Sequence, residues 1–156
     1  MTRSRERLEQ LIQFLDVRNS FAFLPHVRVI DGEPTAQLTL CNVYASVFCA
    51  ALGVRLPVTL KANKQVAWLQ GPEGQAAGWR SVDRLMAVQW AALGHPVVAG
   101  WIHPMGGPGH IAMVVPSPHS DEVGAHVSAA GAVNIARGRL ENSFGAVGPL
   151  HFFTHD

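Results

Sequence analysis

Near the start of the chain the apolar positions recur at helical spacing. Leu8, Leu11, Ile12 and Leu15 fall on one side, with Arg, Glu and Gln opposite. This predicts an amphipathic helix over Arg5–Val17. Pro25, Asp31-Gly32 and Pro34 then break the period and leave room for one short strand, His26–Ile30. From Leu40 to Leu52 the chain is apolar nearly all round, the pattern of a buried helix, with Thr39 as its cap and Gly53 as its stop. Asn42 and Ser46 are its polar exceptions, four residues apart.

Asn63 is placed to cap a short helix through Leu69, and Gly71–Gly78 reads as a loop. Ser81 is placed to cap a helix over Val82–Leu93, ended by Gly94 and Pro96. After that the period shortens. Val97–Ile102 and Ile111–Val115 read as strands around a turn rich in glycine and proline, followed by short strands near His126–Ala129, Ala132–Ile135 and Leu150–Thr154. Helices first and strands second predict an α+β fold, N-terminal helices packed on a mostly antiparallel sheet.

Composition narrows the function classes. A chain of 156 residues, 48% hydrophobic and 15% charged, is long enough for one cored domain and too apolar for disorder. The expectation is a single domain over 1–156, with residues 1–20 packing on it as an N-terminal helix. A formal charge of +1 provides no basic field for nucleic acid, and no apolar run is long enough for a membrane span. No secretory signal is recognisable after the basic start, so the expectation is synthesis in the cytoplasm.

Candidate chemistry centres on Cys41. It falls in the first turn of the buried helix, where unpaired N–H groups and the helix dipole favour a thiolate, so a lowered thiol pKa is expected. Cys49, two turns deeper, reads as a small core hydrophobe. On one helix the two sulfurs are too far apart for a disulfide, so both are expected free. His110 opens an apolar strand after the flexible turn, a place that holds an imidazole while leaving its face open for general-base work. A thiol at a helix start and an imidazole at a strand start form the pairing that nucleophilic catalysis needs. The eight His include no close metal-ligand spacing, so no metal and no cofactor are expected. The glycines before His110 precede a strand and so form no phosphate loop. Of four Trp, Trp90 reads as core, whereas Trp79 and Trp101 are candidates to line a groove.

Several segments follow one another in an order that resembles a family. They are Thr39-Leu40-Cys41-Asn42-Val43-Tyr44, Ala62-Asn63 with Trp68, Gly78-Trp79, Pro96-Val97-Val98-Ala99-Gly100-Trp101 and Gly109-His110-Ile111-Ala112-Met113-Val114. The chain resembles papain-like cell-wall hydrolases of the CHAP amidase/endopeptidase group, in particular phage-lysin-type relatives, over roughly Pro34 to Phe153. The resemblance implies a papain-like fold and cleavage of amide or peptide bonds in peptidoglycan stem peptides, with Cys41 as nucleophile and His110 as base. Delivery through a holin-type lesion or by a contact-dependent machine would then bring the protein to the periplasm and cell wall. For the residue that orients the imidazole the candidates are Asn134 and His126, with Ser128 behind them, since the Glu-x-Asn pair of the group is absent. Gln37 and Asn42 are candidates to assist the Cys41 N–H in an oxyanion hole. Two rival readings stand beside this one: a papain-like deamidase or transglutaminase-like toxin acting on a protein, and a catalytically silent wall-binding module.

Overall fold

The computed structural model describes residues 3–31, 33–119 and 124–156. Among the described residues six α-helices and a six-stranded antiparallel sheet make up an α+β fold, with a separate two-stranded hairpin near the N-terminal end.

Helix α1 (Arg5–Leu15) buries Leu8, Ile12 and Leu15, and Ser4 caps it by accepting from the Arg7 N–H. It stops two residues before the expected end, because Asp16 takes a left-handed conformation with φ of 39° and its N–H bonds the Ile12 carbonyl. The expected strand β1 (His26–Ile30) pairs antiparallel with an unanticipated neighbour, β2 (Glu33–Leu38). Helix α2 (Cys41–Ala51) carries Cys41 as its first residue; Leu40 and not Thr39 occupies the cap position.

Next come α3 (Ala62–Gln70), α4 (Pro72–Ala76), strand β3 (Trp79–Val82) and α5 (Arg84–Ala92). Two of these correct the sequence reading. The expected loop contains α4, and Ser81 lies within β3, so the cap of α5 is Asp83, whose carboxylate accepts from the Met86 N–H at 2.8 Å. The strands β4 (Val97–Trp101), β5 (His110–Val115) and β6 (His126–Ala129) stand where the pattern puts them. The following strand, β7 (Ile135–Arg139), starts where the expected one ends, and a short unanticipated helix, α6 (Leu140–Phe144), follows it. Strand β8 (His151–His155) completes the sheet, whose order is β3-β8-β4-β5-β6-β7.

The sheet separates two cores. On one side Val98, Ile111, Met113, Val115 and Phe153 meet Leu8 of α1, Tyr44, Phe48 and Cys49 of α2 and Val66 and Leu69 of α3. On the other, Val97, Ala99, Ala112, Val114 and Phe152 meet Ala87 and Ala91 of α5 and Leu140 and Phe144 of α6. Strict alternation along β5 assigns successive residues to opposite layers. Burial of this kind contributes about 25 cal/mol per Å² of apolar surface, enough to hold a helix as apolar as α2 in a single place. Among the described residues no helix is long and apolar enough to cross a membrane.

Candidate functional site

Cys41 begins α2 and is only 4% exposed. The backbone N–H groups of Ile111, Asn42 and Cys41 and the Thr39 side chain favour its thiolate. Ile111 follows His110 directly in β5, so the helix start lies beside the backbone of that strand, but Ile111 faces α2 while His110 faces the opposite side of the sheet. Burial acts the other way and is the largest influence, pushing the Cys41 thiol above its ordinary value. The expected lowering of this pKa is therefore corrected. Desolvation of a nearly enclosed sulfur outweighs the donors at the helix terminus.

His110 shares its side of the sheet with Ala112 and Val114, facing α6. Its Nε2 lies 2.8 Å from the Ser143 hydroxyl, and its ring stands edge-on to Phe144 with centroids 4.8 Å apart. Burial lowers the imidazole pKa to about 4, so the ring is neutral at physiological pH. Thiol and imidazole are thus each neutral, and they lie on opposite sides of the sheet.

The turn before His110 is held from outside the sheet. Asn63, in the first turn of α3, donates its amide to the Gly107 carbonyl at 2.8 Å and accepts the His103 N–H at 3.1 Å. It does not cap α3; Lys61 holds that position. Gly109 passes so close that a Cβ there would lie 1.9 Å from Asn63 Oδ1, which restricts the position to glycine. The β4–β5 ladder pairs Trp101 with His110, and the half-buried indole tilts against His103 at 5.1 Å.

The candidates for orienting the imidazole occupy other posts. His126 pairs with Val115 at the far end of β5. Five residues at about 3.3 Å each put it roughly 16 Å along the sheet from His110, too far to orient that ring. Asn134 lies closer, but its amide donates to the Val17 and Phe23 carbonyls at 2.7 and 2.8 Å and accepts the Gly131 N–H at 3.0 Å. It fastens the N-terminal segment to the turn after β6, where a Cβ on Gly131 would lie 3.7 Å from His110 Cε1. Ser128 is buried in a chain with the Tyr44 hydroxyl, at 2.6 Å, and the Ile135 carbonyl, at 3.3 Å, which ties α2 to β6 and β7. Ser143, which the sequence reading passed over, is the side chain bonded to the ring.

Of the oxyanion candidates, Asn42 gives its amide to the Leu60 carbonyl at 3.0 Å, so only its backbone N–H serves the sulfur. Gln37 sits on β2 opposite Val27; its side chain lies outside the described residues. Trp79 is fully buried, with Nε1 donating to the Arg55 carbonyl at 2.8 Å, which corrects its expected place on a groove wall. Trp90 is partly buried against the second core and meets His95 edge-on at 4.4 Å. Cys49 is free and fully buried, its thiol 3.8 Å from the Met113 sulfur. Among the described residues no three His, Cys, Asp or Glu side chains gather as a metal site would require. The chain matches no protein-family model and no curated protein.

Proposed function

We propose that the protein is a papain-like cysteine hydrolase that cuts an amide or peptide bond in the stem peptides of bacterial peptidoglycan. The observation that carries this reading is the position of Cys41 as the first residue of α2, with Ile111, the residue after His110 in β5, among the groups acting on its thiol. The ordered resemblance of the surrounding segments to CHAP-type hydrolases supports the substrate class. In this reading the ring nitrogen of His110 not bonded to Ser143 removes the thiol proton as sulfur attacks the substrate carbonyl. The tetrahedral oxyanion collapses to a thioester, and the leaving amine takes the proton from the imidazolium. Water, deprotonated by the same nitrogen, then hydrolyses the thioester to a carboxylate and restores the thiol. The Cys41 backbone N–H is the donor nearest the developing charge. Since both groups rest neutral, proton transfer accompanies attack and no standing ion pair is used.

Zymography on purified sacculi tests the reading. The wild-type chain should clear the gel and C41A should not, while remaining folded. Mass analysis of the released fragments then identifies the bond. Absence of clearing with turnover of a protein glutamine would favour the deamidase or transglutaminase-like alternative. Binding to sacculi that C41A leaves unchanged, with no clearing by either form, would reduce the protein to a wall-binding module.

A further inference from the structure

We infer that Ser143 is the positioning residue for His110, accepting the Nε2–H and so leaving the ring's lone pair on Nδ1. The inference deepens the hydrolase reading and rests on it for its meaning, while its own test requires no substrate. Its basis is geometric. Ser143 Oγ is 2.8 Å from Nε2, within ordinary hydrogen-bonding range, and it is the side-chain partner recorded for this ring. The hydroxyl is also held in place by its helix. Leu140 and Phe144 of α6 are buried in the second core, and the Leu140 N–H donates to the Ala125 carbonyl at 2.9 Å. Glu141 forms an ion pair with Arg84 of α5 at 2.6 Å. The Phe144 ring beside the imidazole limits its rotation about χ2.

A neutral imidazole carries one ring proton, and the partner of one nitrogen decides which nitrogen keeps it. Were Ser143 to donate to Nε2 instead, the proton would sit on Nδ1 and that nitrogen would have no lone pair to offer a thiol. The arrangement differs from one in which a carboxylate orients the ring. A hydroxyl adds no charge, so it fixes the tautomer without raising the basicity of a ring that burial already holds neutral.

The test is long-range proton–nitrogen NMR of the full chain labelled in its histidines, at pH 7.5, for wild type, S143A and S143T. In the wild type His110 should be protonated on Nε2 alone. S143A should shift the tautomer ratio by about fivefold or more, as loss of one net hydrogen bond implies. S143T, which keeps the hydroxyl, should restore the wild-type pattern. On sacculi, S143A should lower kcat by about tenfold, a fraction of the ~10²–10⁴ a general base supplies, with KM nearly unchanged. A wild-type proton on Nδ1 would overturn the inference, as would a folded S143A with the wild-type tautomer ratio. If S143A does not fold, the wild-type and S143T spectra decide it. Should the spectra behave as expected while wild type leaves sacculi intact, the substrate reading fails and the role of Ser143 in setting the tautomer remains.

Discussion

At the Cys41 sulfur two local forces oppose each other. The helix terminus aims backbone N–H groups at it, and enclosure strips it of water; the second prevails. The consequence is a thiol that is slow towards alkylating agents. In the folded protein Cys41 should react with iodoacetamide at pH 6.5 more slowly than a model thiol, and accelerate only as pH rises past the ordinary thiol value of 9.0. Cys49, enclosed completely and shifted further in the same direction, should react more slowly still. Fast labelling of Cys41 at pH 6.5 would reinstate the thiolate–imidazolium pair expected from position alone. The sequence shows the residue type and the helix start, but it does not show how many side chains close over the sulfur. Burial of Cys41 is a property of the assembled layers.

Elements with a sustained or strongly apolar pattern are legible in the sequence, whereas several short ones are not. The amphipathic stripe of α1, the apolar α2 and the strands β4 and β5 all stand where their patterns predict. By contrast β3 spans four residues, two of them exposed, and is a strand because β8 pairs with all four. Helix α6 has five residues, fewer than any helical period needs for detection. For that reason the sequence points to Asn134 and His126 and not to Ser143. It lies on an element whose existence depends on Leu140 and Phe144 finding a core, and a lone serine carries no sign of that. Asn63 presents the same difficulty, since a polar residue at a helix start resembles a cap, whereas here it clamps a distant turn. N63A should therefore cost about 1–3 kcal/mol through the exposed Gly107 carbonyl and His103 N–H. The urea midpoint should fall with an unchanged m value. A midpoint within error of wild type would show that Gly109 packing alone holds the turn.

For the whole molecule, the buried titratable groups set a pH window. His110 resists protonation down to about 4, whereas the ordinary imidazole value is 6.5. Between those values the unfolded chain binds more protons than the folded one, so stability falls as pH drops through the interval, at up to about 1.4 kcal/mol per unit. On the alkaline side Cys41, Cys49 and Tyr44, the last pushed up to about 12, keep their protons when the unfolded chain has begun to lose them. Stability should thus decline again above pH 9. Urea titrations from pH 4 to 10 should give a plateau between about 6.5 and 9, and H110N should flatten the acid limb. An acid limb unchanged in H110N would assign it to other groups.

The order of the sheet has a consequence for how the chain reaches this state. Strands β3 and β4 are neighbours only through β8, whose residues 151–155 are translated after every other element described here. Until those residues leave the ribosome, β3 lacks its partner and β4 presents a bare row of amides along one side. Such unpaired edges are where chains stick to one another. A chain ending at Gly148 should accordingly be recovered as aggregate, even though it contains Cys41, His110 and Ser143. Supplying the missing strand as a separate peptide during refolding should return soluble protein if the vacant slot is the cause. A nascent chain therefore cannot complete this sheet before its β8 residues have been made.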